Sequence, residues 1–197
     1  MFAIIIVGDR KMDALMLILI FIILIICILS GIYAILYNKF QDYVIRINEV
    51  ESNIDTILRN KYDTINKCVS IIKGNNEINN KLDKNMFEEI VKLRARKISN
   101  FDLDRKLVEA NNQFITIKEK YEEINKNEDI IKYSKDLIDI DDRLKIHVNY
   151  YNKNIAEYNK LIKLFPTNIV ARLCKYQEKL FFDRKDMSDE DYNDFKL

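Results

Sequence analysis

The feature that most constrains this chain is a stretch of 24 residues, Ala14 to Tyr37, that contains no Asp, Glu, Lys or Arg. As an α-helix rising about 1.5 Å per residue, it spans roughly 36 Å and exceeds a hydrocarbon core of about 30 Å. A signal peptide, in contrast, has an apolar region of about 7–15 residues that ends at a small-residue cleavage site. We therefore interpret the stretch as an uncleaved transmembrane helix that contacts the lipid bilayer through residues 14–37.

Few residues in this chain favour tight turns. Glycine occurs three times and proline once among 197 residues, whereas β-rich folds use Gly, Pro and Asn-Gly pairs at their turns. The sequence predicts an all-α protein in which the N-terminal transmembrane helix is followed by an elongated antiparallel helical bundle. The predicted boundaries are a flank at 1–13, the transmembrane helix at 14–37, the bundle at 38–182 and an acidic tail at 183–197.

Apolar residues at helical spacing predict three long helices and a shorter fourth. The first continues directly from the transmembrane helix, because no Pro or Gly lies between Tyr37 and Lys73, and Gly74 ends it. Its stripe shifts between Ile54 and Leu58, as at a coiled-coil stutter. The predicted stripe comprises Tyr43, Ile47, Val50, Ile54, Leu58, Tyr62, Ile65, Val69 and Ile72.

The second helix is predicted to begin near Asn85, which has the spacing of a capping box with Glu88. Its stripe comprises Phe87, Ile90, Val91, Arg94 (aliphatic stem only) and Ile98, and helical spacing continues at Leu103, Leu107, Ala110, Phe114, Ile117, Tyr121 and Ile124. The segment 99–102 either kinks or interrupts the helix, so that residues 85–125 form one helix or two.

The third and fourth helices have clearer ends. Asn127 is a candidate N-cap for the third helix, and Pro166 ends it. The fourth begins at Thr167 or Asn168. The predicted apolar sides of these two helices comprise Ile130, Ile131, Leu137, Ile140, Leu144, His147, Tyr151, Ile155, Tyr158, Ile162, Phe165, Ile169, Val170, Leu173, Tyr176, Leu180 and Phe181.

Residues typical of catalytic and metal sites are scarce. Three dispersed glycines exclude a P-loop and a Rossmann fingerprint, and the only histidine, His147, lies on an apolar stripe. The acidic group Asp136, Asp139, Asp141 and Asp142 is either a weak Ca²⁺ or Mg²⁺ site or a solvated helix face, and its spacing favours the latter. We expect a protein with no enzyme activity, no catalytic residues, no cofactor, no metal and no small-molecule substrate.

The balance of charges in the chain argues against nucleic acid as a partner. The 32 Lys and Arg residues nearly balance the 31 Asp and Glu residues, which gives no electrostatic footprint for nucleic acid.

The three cysteines of the chain, Cys27, Cys68 and Cys174, form no CxxC pair. A Cys68–Cys174 disulfide remains open, although two buried free thiols are the favoured interpretation.

A tyrosine–asparagine pair occurs twice, at Tyr151-Asn152 and at Tyr158-Asn159. The pairs are seven residues apart and therefore lie on the same face of a helix. They are either a surface for a partner helix or a device that fixes helix register inside the bundle, and the second interpretation is favoured.

Several segments resemble the LemA family of bacterial membrane proteins. They begin at Tyr37-Asn38 and include Lys61–Asn66, Val69–Gly74, Leu93–Arg96, Tyr151–Asn159 and Phe165–Ile169. The chain departs from the family pattern in three places: the family typically has proline where Asn66 and Glu122 stand, and a Gly-Phe pair near Lys175-Tyr176. The resemblance implies an N-terminal membrane helix with a helical bundle, and it supplies no catalytic residues.

Two functions are compatible with these features. The first is a membrane-anchored scaffold or adaptor that binds protein partners or a second copy of itself. The second is a signal transducer that passes a conformational change through the bundle.

The orientation of the span depends on the basic residues on either side of it. Their numbers are equal, with Arg10 and Lys11 before the span and Lys39 and Arg46 after it. A start at Met12 would remove the first pair, and the positive-inside rule then predicts a cytoplasmic bundle.

Overall fold

The computed structural model describes residues 2–75 and 99–182. Every regular element in these ranges is an α-helix, which confirms the all-α fold class. The helices are α1 (Phe2–Gly74), α2 (Asn100–Lys120), α3 (Glu122–Asn125), α4 (Glu128–Lys163) and α5 (Thr167–Leu173). The predicted helix start at Asn85, the part of its stripe up to Ile98, and the acidic tail after 182 lie outside the described residues.

The described chain divides into two compact units. The first contains residues 2–45 and 157–178, and the second contains residues 46–75, 99–156 and 179–182. The first unit includes the start of α1, the end of α4 and all of α5. The second unit is built from the remainder of α1, the helices α2 and α3, and the greater part of α4.

Helix α1 runs without interruption from Phe2 to Gly74, as predicted from the absence of Pro and Gly after Tyr37. From Ala14 onward it is long and apolar enough to cross a membrane, with a mean hydropathy of 3.4 in its most apolar window, none of which is buried. All residues from Ala14 to Ile35 are exposed, whereas Phe40 is completely buried. One helix thus changes from an exposed apolar surface to a packed one.

The stripe predicted for α1 forms part of the interior of the second unit. Its members from Ile47 to Ile72 are all buried, because a 3/4 spacing keeps them on one side of the helix. Ile57 and Leu58 are both buried at the predicted shift. Tyr43, in the first unit, is half-buried.

Polar side chains cap the N-termini of α2 and α4. The Ser99 hydroxyl accepts a hydrogen bond from the backbone N–H of Asp102 at 3.2 Å, so that a helix begins at Asn100. The Asn127 side chain accepts from the N–H groups of Asp129 and Ile130 at 3.0 and 3.1 Å. Ser99 therefore interrupts the segment 85–125, and the cap predicted at Asn127 is confirmed.

Helix α2 ends at Lys120, and the extended backbone of its C-cap, Tyr121 (φ −125°, ψ 97°), separates it from α3. Glu122 is then the first residue of α3. A proline fits best at the first position of a helix, after an extended residue. The family's proline at this position is therefore compatible with the backbone of this chain.

The apolar sides predicted for α4 and α5 are partly wrong. Helix α4 ends at Lys163, close to the predicted boundary before Pro166, but Phe165 is 80 % exposed and Ile131 is 43 % exposed. Helix α5 stops at Leu173, and Ile169 and Leu173 are exposed. The chain beyond leaves the helix, so that Phe182 is buried in the second unit while Leu180 and Phe181 are exposed.

Candidate functional site

A lysine occupies the interior of the second unit. Lys61 lies on the buried side of α1, about one turn from Leu58 and from Ile65, and it is 0 % exposed. An ammonium group that is buried without a partner is strongly unfavourable, because it loses its hydration. The neighbouring helices must therefore supply negative charge.

Aspartates from two other helices supply that charge. Lys61 Nζ lies 2.8 Å from Oδ1 of Asp141 in α4 and 4.0 Å from Oδ1 of Asp104 in α2. The Asp104 side chain is 2 % exposed, whereas that of Asp141 is 37 % exposed. A single cation thus connects α1, α2 and α4, and one of its two carboxylates stays in contact with solvent.

The acidic group predicted from the sequence separates in the structure. Asp141 turns inward to the buried lysine, whereas Asp142 stays exposed. Asp136 and Asp139 line an open groove of about 300 Å³ together with a third aspartate, Asp63, and two basic residues, Lys67 and Arg143. Among the side chains that the structure describes, those of residues 14–75 and 99–182, no three His, Cys, Asp or Glu lie close enough to share a metal ion. Asp142 therefore fits the solvated-face interpretation, whereas Asp141 is only partly exposed because its carboxylate pairs with Lys61.

The first tyrosine–asparagine pair holds the end of the described chain. The Asn152 side chain donates to the Phe182 carbonyl oxygen at 2.8 Å and accepts from the Phe182 N–H at 2.7 Å. The Phe182 ring stacks on Phe101 with ring centroids 4.6 Å apart and meets Tyr151 edge-on at 6.3 Å. The Asn152 side chain thus makes the same two hydrogen bonds to Phe182 that a neighbouring β-strand would make. The rings of Phe101 and Tyr151 both contact the ring of Phe182.

The second pair belongs to the first unit. Tyr158 is 2 % exposed and meets Phe40 edge-on with ring centroids 6.0 Å apart. Tyr176 packs on the same phenylalanine at 4.9 Å, and its hydroxyl accepts a hydrogen bond from Gln41 Nε2 at 2.7 Å. Asn159 is half-buried. These contacts attach residues 157–178 to α1 just after its apolar segment.

Burial of the two tyrosines bears on the surface predicted at Tyr151, Asn152, Tyr158 and Asn159. Tyr151 is 6 % exposed and Tyr158 is 2 % exposed, so that both rings contact residues of the same chain. This favours the structural interpretation of the repeated pair. A role in partner binding stays a prediction for these four residues.

Two side chains in the second unit, Cys68 and Tyr151, have a raised pKa. Burial raises the pKa of the Cys68 thiol to about 11. Burial, with a smaller contribution from the negative charge of Glu51, raises the pKa of the Tyr151 hydroxyl to about 12. Both groups are neutral at physiological pH. Cys68 and Cys174 are both free, but only Cys68 is buried and Cys174 is half-buried, so the prediction of two buried free thiols is confirmed in part.

A lysine occupies a position that usually favours glycine. Helix α5 ends with backbone hydrogen bonds from Tyr176 N–H to the Ala171 carbonyl oxygen at 2.9 Å and from Lys175 N–H to that of Arg172 at 3.2 Å. This is a Schellman motif, and Lys175 at its C′ position has the left-handed φ of 56°. The glycine of the family's Gly-Phe pair would suit the backbone at this point.

Three features escaped the sequence analysis. Lys61 and Asp104 occupy apolar spacing, three residues from Leu58 and Leu107 respectively, and a charged residue on such a stripe is a usable signal for a buried ion pair. The burial of Phe182 has no comparable signal, because it lies outside any helix.

Comparison with known proteins agrees with this architecture. No curated protein and no solved structure matches the chain. The model of the LemA family matches residues 50–193. This range includes Lys61 with Asp104 and Asp141, both tyrosine–asparagine pairs and the Schellman motif. The chain therefore belongs to the LemA family.

Proposed function

We propose that this chain is a non-enzymatic, membrane-anchored helical scaffold. Residues 14–37, the apolar segment, cross the bilayer once, and the helices beyond them bind protein partners or a second copy of the chain. The observation that carries this proposal is the change along α1 from exposed apolar residues up to Ile35 to a fully buried Phe40. Lipid is the environment that makes such an exposed apolar helix favourable.

The scaffold role is supported by exposed apolar side chains in the second unit. Ile138 and Ile146 in α4 are 62 % and 67 % exposed, and Tyr150 is 45 % exposed. At about 100° per residue these three positions fall within roughly 120° around the helix axis, which is wide enough to contact a partner helix.

A cytoplasmic location of the helical units is supported by the free thiols of Cys68 and Cys174, since disulfides persist mainly in oxidising compartments. A reporter enzyme that is active only outside the cytoplasm, fused after Leu197, tests this orientation. We expect an inactive reporter, and an active one in intact cells would contradict the proposal.

Capture of partners tests the scaffold role. The full chain is crosslinked in its own membranes, solubilised and purified, in parallel with the surface variant Ile138→Ser/Ile146→Ser and the buried-site variant Tyr151→Phe/Tyr158→Phe. We expect a reproducible crosslinked species that the surface variant loses at unchanged helical content. Retention of all species by the surface variant, or their absence from the wild type, contradicts the proposed surface.

The unbroken helix also favours a second function, a signal transducer. A conformational change needs a stiff connection to travel along α1, which has none of the usual helix breakers between Tyr37 and Lys73. Insertion of Gly-Gly between Tyr37 and Asn38 separates the two functions. A scaffold keeps its partners after the insertion and is otherwise unaffected. A transducer keeps its partners but no longer passes a conformational change from the membrane helix to the bundle.

A further inference from the structure

The corner between α4 and α5 exposes an unusual amount of apolar surface. Phe165 is 80 % exposed and Leu173 is 68 % exposed, and Leu164 and Ile169 are each 50 % exposed. These four side chains fall within residues 164–173 and are hereafter the apolar corner. Single exposed apolar residues are ordinary, whereas four within ten residues are typical of a segment that contacts a partner or a membrane.

Contacts within the first unit fix the position of the apolar corner along α1. Cys174, directly after Leu173, has its Sγ 3.4 Å from the hydroxyl oxygen of Tyr33. Tyr33 lies four residues, about 6 Å of helix, before the end of the apolar segment. The end of α5 is therefore level with the last turns of the proposed membrane span.

The same level carries the aromatic side chains that favour a membrane interface. Tyr33 and Tyr37 stack with ring centroids 6.2 Å apart, and tyrosines are enriched where the hydrocarbon core meets the headgroups. Two residues after Cys174, Tyr176 packs beside Phe40 and Gln41. The chain therefore moves along α1 toward the span as it is followed back from Tyr176 to Cys174.

The charges around the corner complement an anionic lipid surface. Within residues 157–178 there are four basic side chains against two acidic ones, a net charge of +2. The basic residues are Lys160, Lys163, Arg172 and Lys175, and the acidic ones are Glu157 and Glu178. Apolar side chains next to basic ones are typical of segments that lie in the headgroup region.

We propose that the apolar corner inserts into the bilayer interface next to the transmembrane span and forms a second, peripheral membrane contact. The occupant of this surface is the headgroup and upper acyl region of an anionic leaflet. The inference rests on the proposed membrane span, because that span sets the level of Tyr33. Its consequence is that the first unit is held against the membrane by a second contact in addition to α1.

Tryptophan fluorescence tests the insertion directly, because the chain has no tryptophan of its own. The full-length variant Phe165→Trp is reconstituted into vesicles of zwitterionic and anionic phospholipids that carry bromine either near the headgroup or near the chain end. Ile25→Trp, at the centre of the apolar segment, reports the span. Ile146→Trp, at a 67 % exposed position of the second unit, is the reference.

We expect blue-shifted emission from Phe165→Trp and a greater loss of intensity with bromine near the headgroup than near the chain end. Ile25→Trp should show the reverse order. If Ile25→Trp is quenched and Phe165→Trp is quenched no more than Ile146→Trp, the corner does not insert and only this inference fails. If Ile25→Trp is not quenched, the proposed span fails as well. A blue shift at position 165 without quenching means that protein covers the corner, which overturns lipid as its occupant.

Discussion

Lys61 Nζ and Asp141 Oδ1 lie 2.8 Å apart, although the Lys61 side chain is only 1 % exposed. The pair joins α1 to α4, and Asp104 of α2 lies 4.0 Å from the same nitrogen. Because Asp104 has almost no contact with water, the nearby charge of Lys61 helps to compensate its own. The interior of the second unit therefore contains a lysine of α1 that faces carboxylates from two other helices.

Replacing this lysine should strongly destabilise the second unit. We expect Lys61→Met to lower the free energy of unfolding by about 3–5 kcal/mol, because it removes the cation of a buried ion pair. Urea unfolding of the full chain in detergent, followed by circular dichroism, measures the change. Lys67→Met is the matched control, since Lys67 is exposed and should cost less than about 1 kcal/mol. A loss for Lys61→Met no greater than that of the control would contradict the arrangement.

The Asn152 side chain should hold the segment that contains Phe182. We expect Asn152→Ala to cost about 1–3 kcal/mol, because it leaves the buried Phe182 backbone without both of its hydrogen bonds. Limited proteolysis should then cleave near Phe182 faster than in the wild type. Asn149→Ala, at an exposed position of the same helix, is the control and should leave the cleavage rate unchanged. Equal cleavage rates in the two variants would argue against the clamp.

A glycine should be more stable than the lysine at position 175. The φ of 56° is left-handed, which costs a residue with a Cβ roughly 1 kcal/mol relative to glycine. We therefore expect Lys175→Gly to raise the melting temperature of the full chain. Arg172→Gly, inside α5, should lower it, because a glycine inside a helix is destabilising by a similar amount. A decrease in melting temperature for Lys175→Gly would contradict the observed backbone.

Alkaline pH should weaken the second unit through Cys68. The folded state raises the pKa of this thiol from 9.0 to about 11, so that the folded protein holds the proton more tightly than the unfolded chain does. The resulting stabilisation is fully present below pH 9 and is lost as the pH rises to about 11. Unfolding curves across this range should show a smaller decline for Cys68→Ala than for the wild type. The same decline in both proteins would exclude a contribution from the thiol.

Local signals in the sequence predicted most of the helical framework. The α1 stripe and the cap at Asn127 depend on residues within a few positions of one another, so that spacing alone reveals them. The Lys61–Asp104 contact joins two helices that are distant in the sequence, and its pairing cannot be read from either helix alone. Phe182 rather than Phe181 is buried because of its bonds to Asn152, and helical periodicity does not constrain that segment.

The central claim, that α1 is a membrane anchor, is tested most directly by alkaline carbonate extraction of membranes that contain the full chain. We expect the wild type to remain in the membrane pellet at its full length. The variant Ile22→Arg/Ile25→Arg should be released, because each arginine near the helix centre costs about 2.5–3.5 kcal/mol of insertion free energy. Release of the wild type into the supernatant, or recovery of a chain that has lost its apolar segment, would contradict the account.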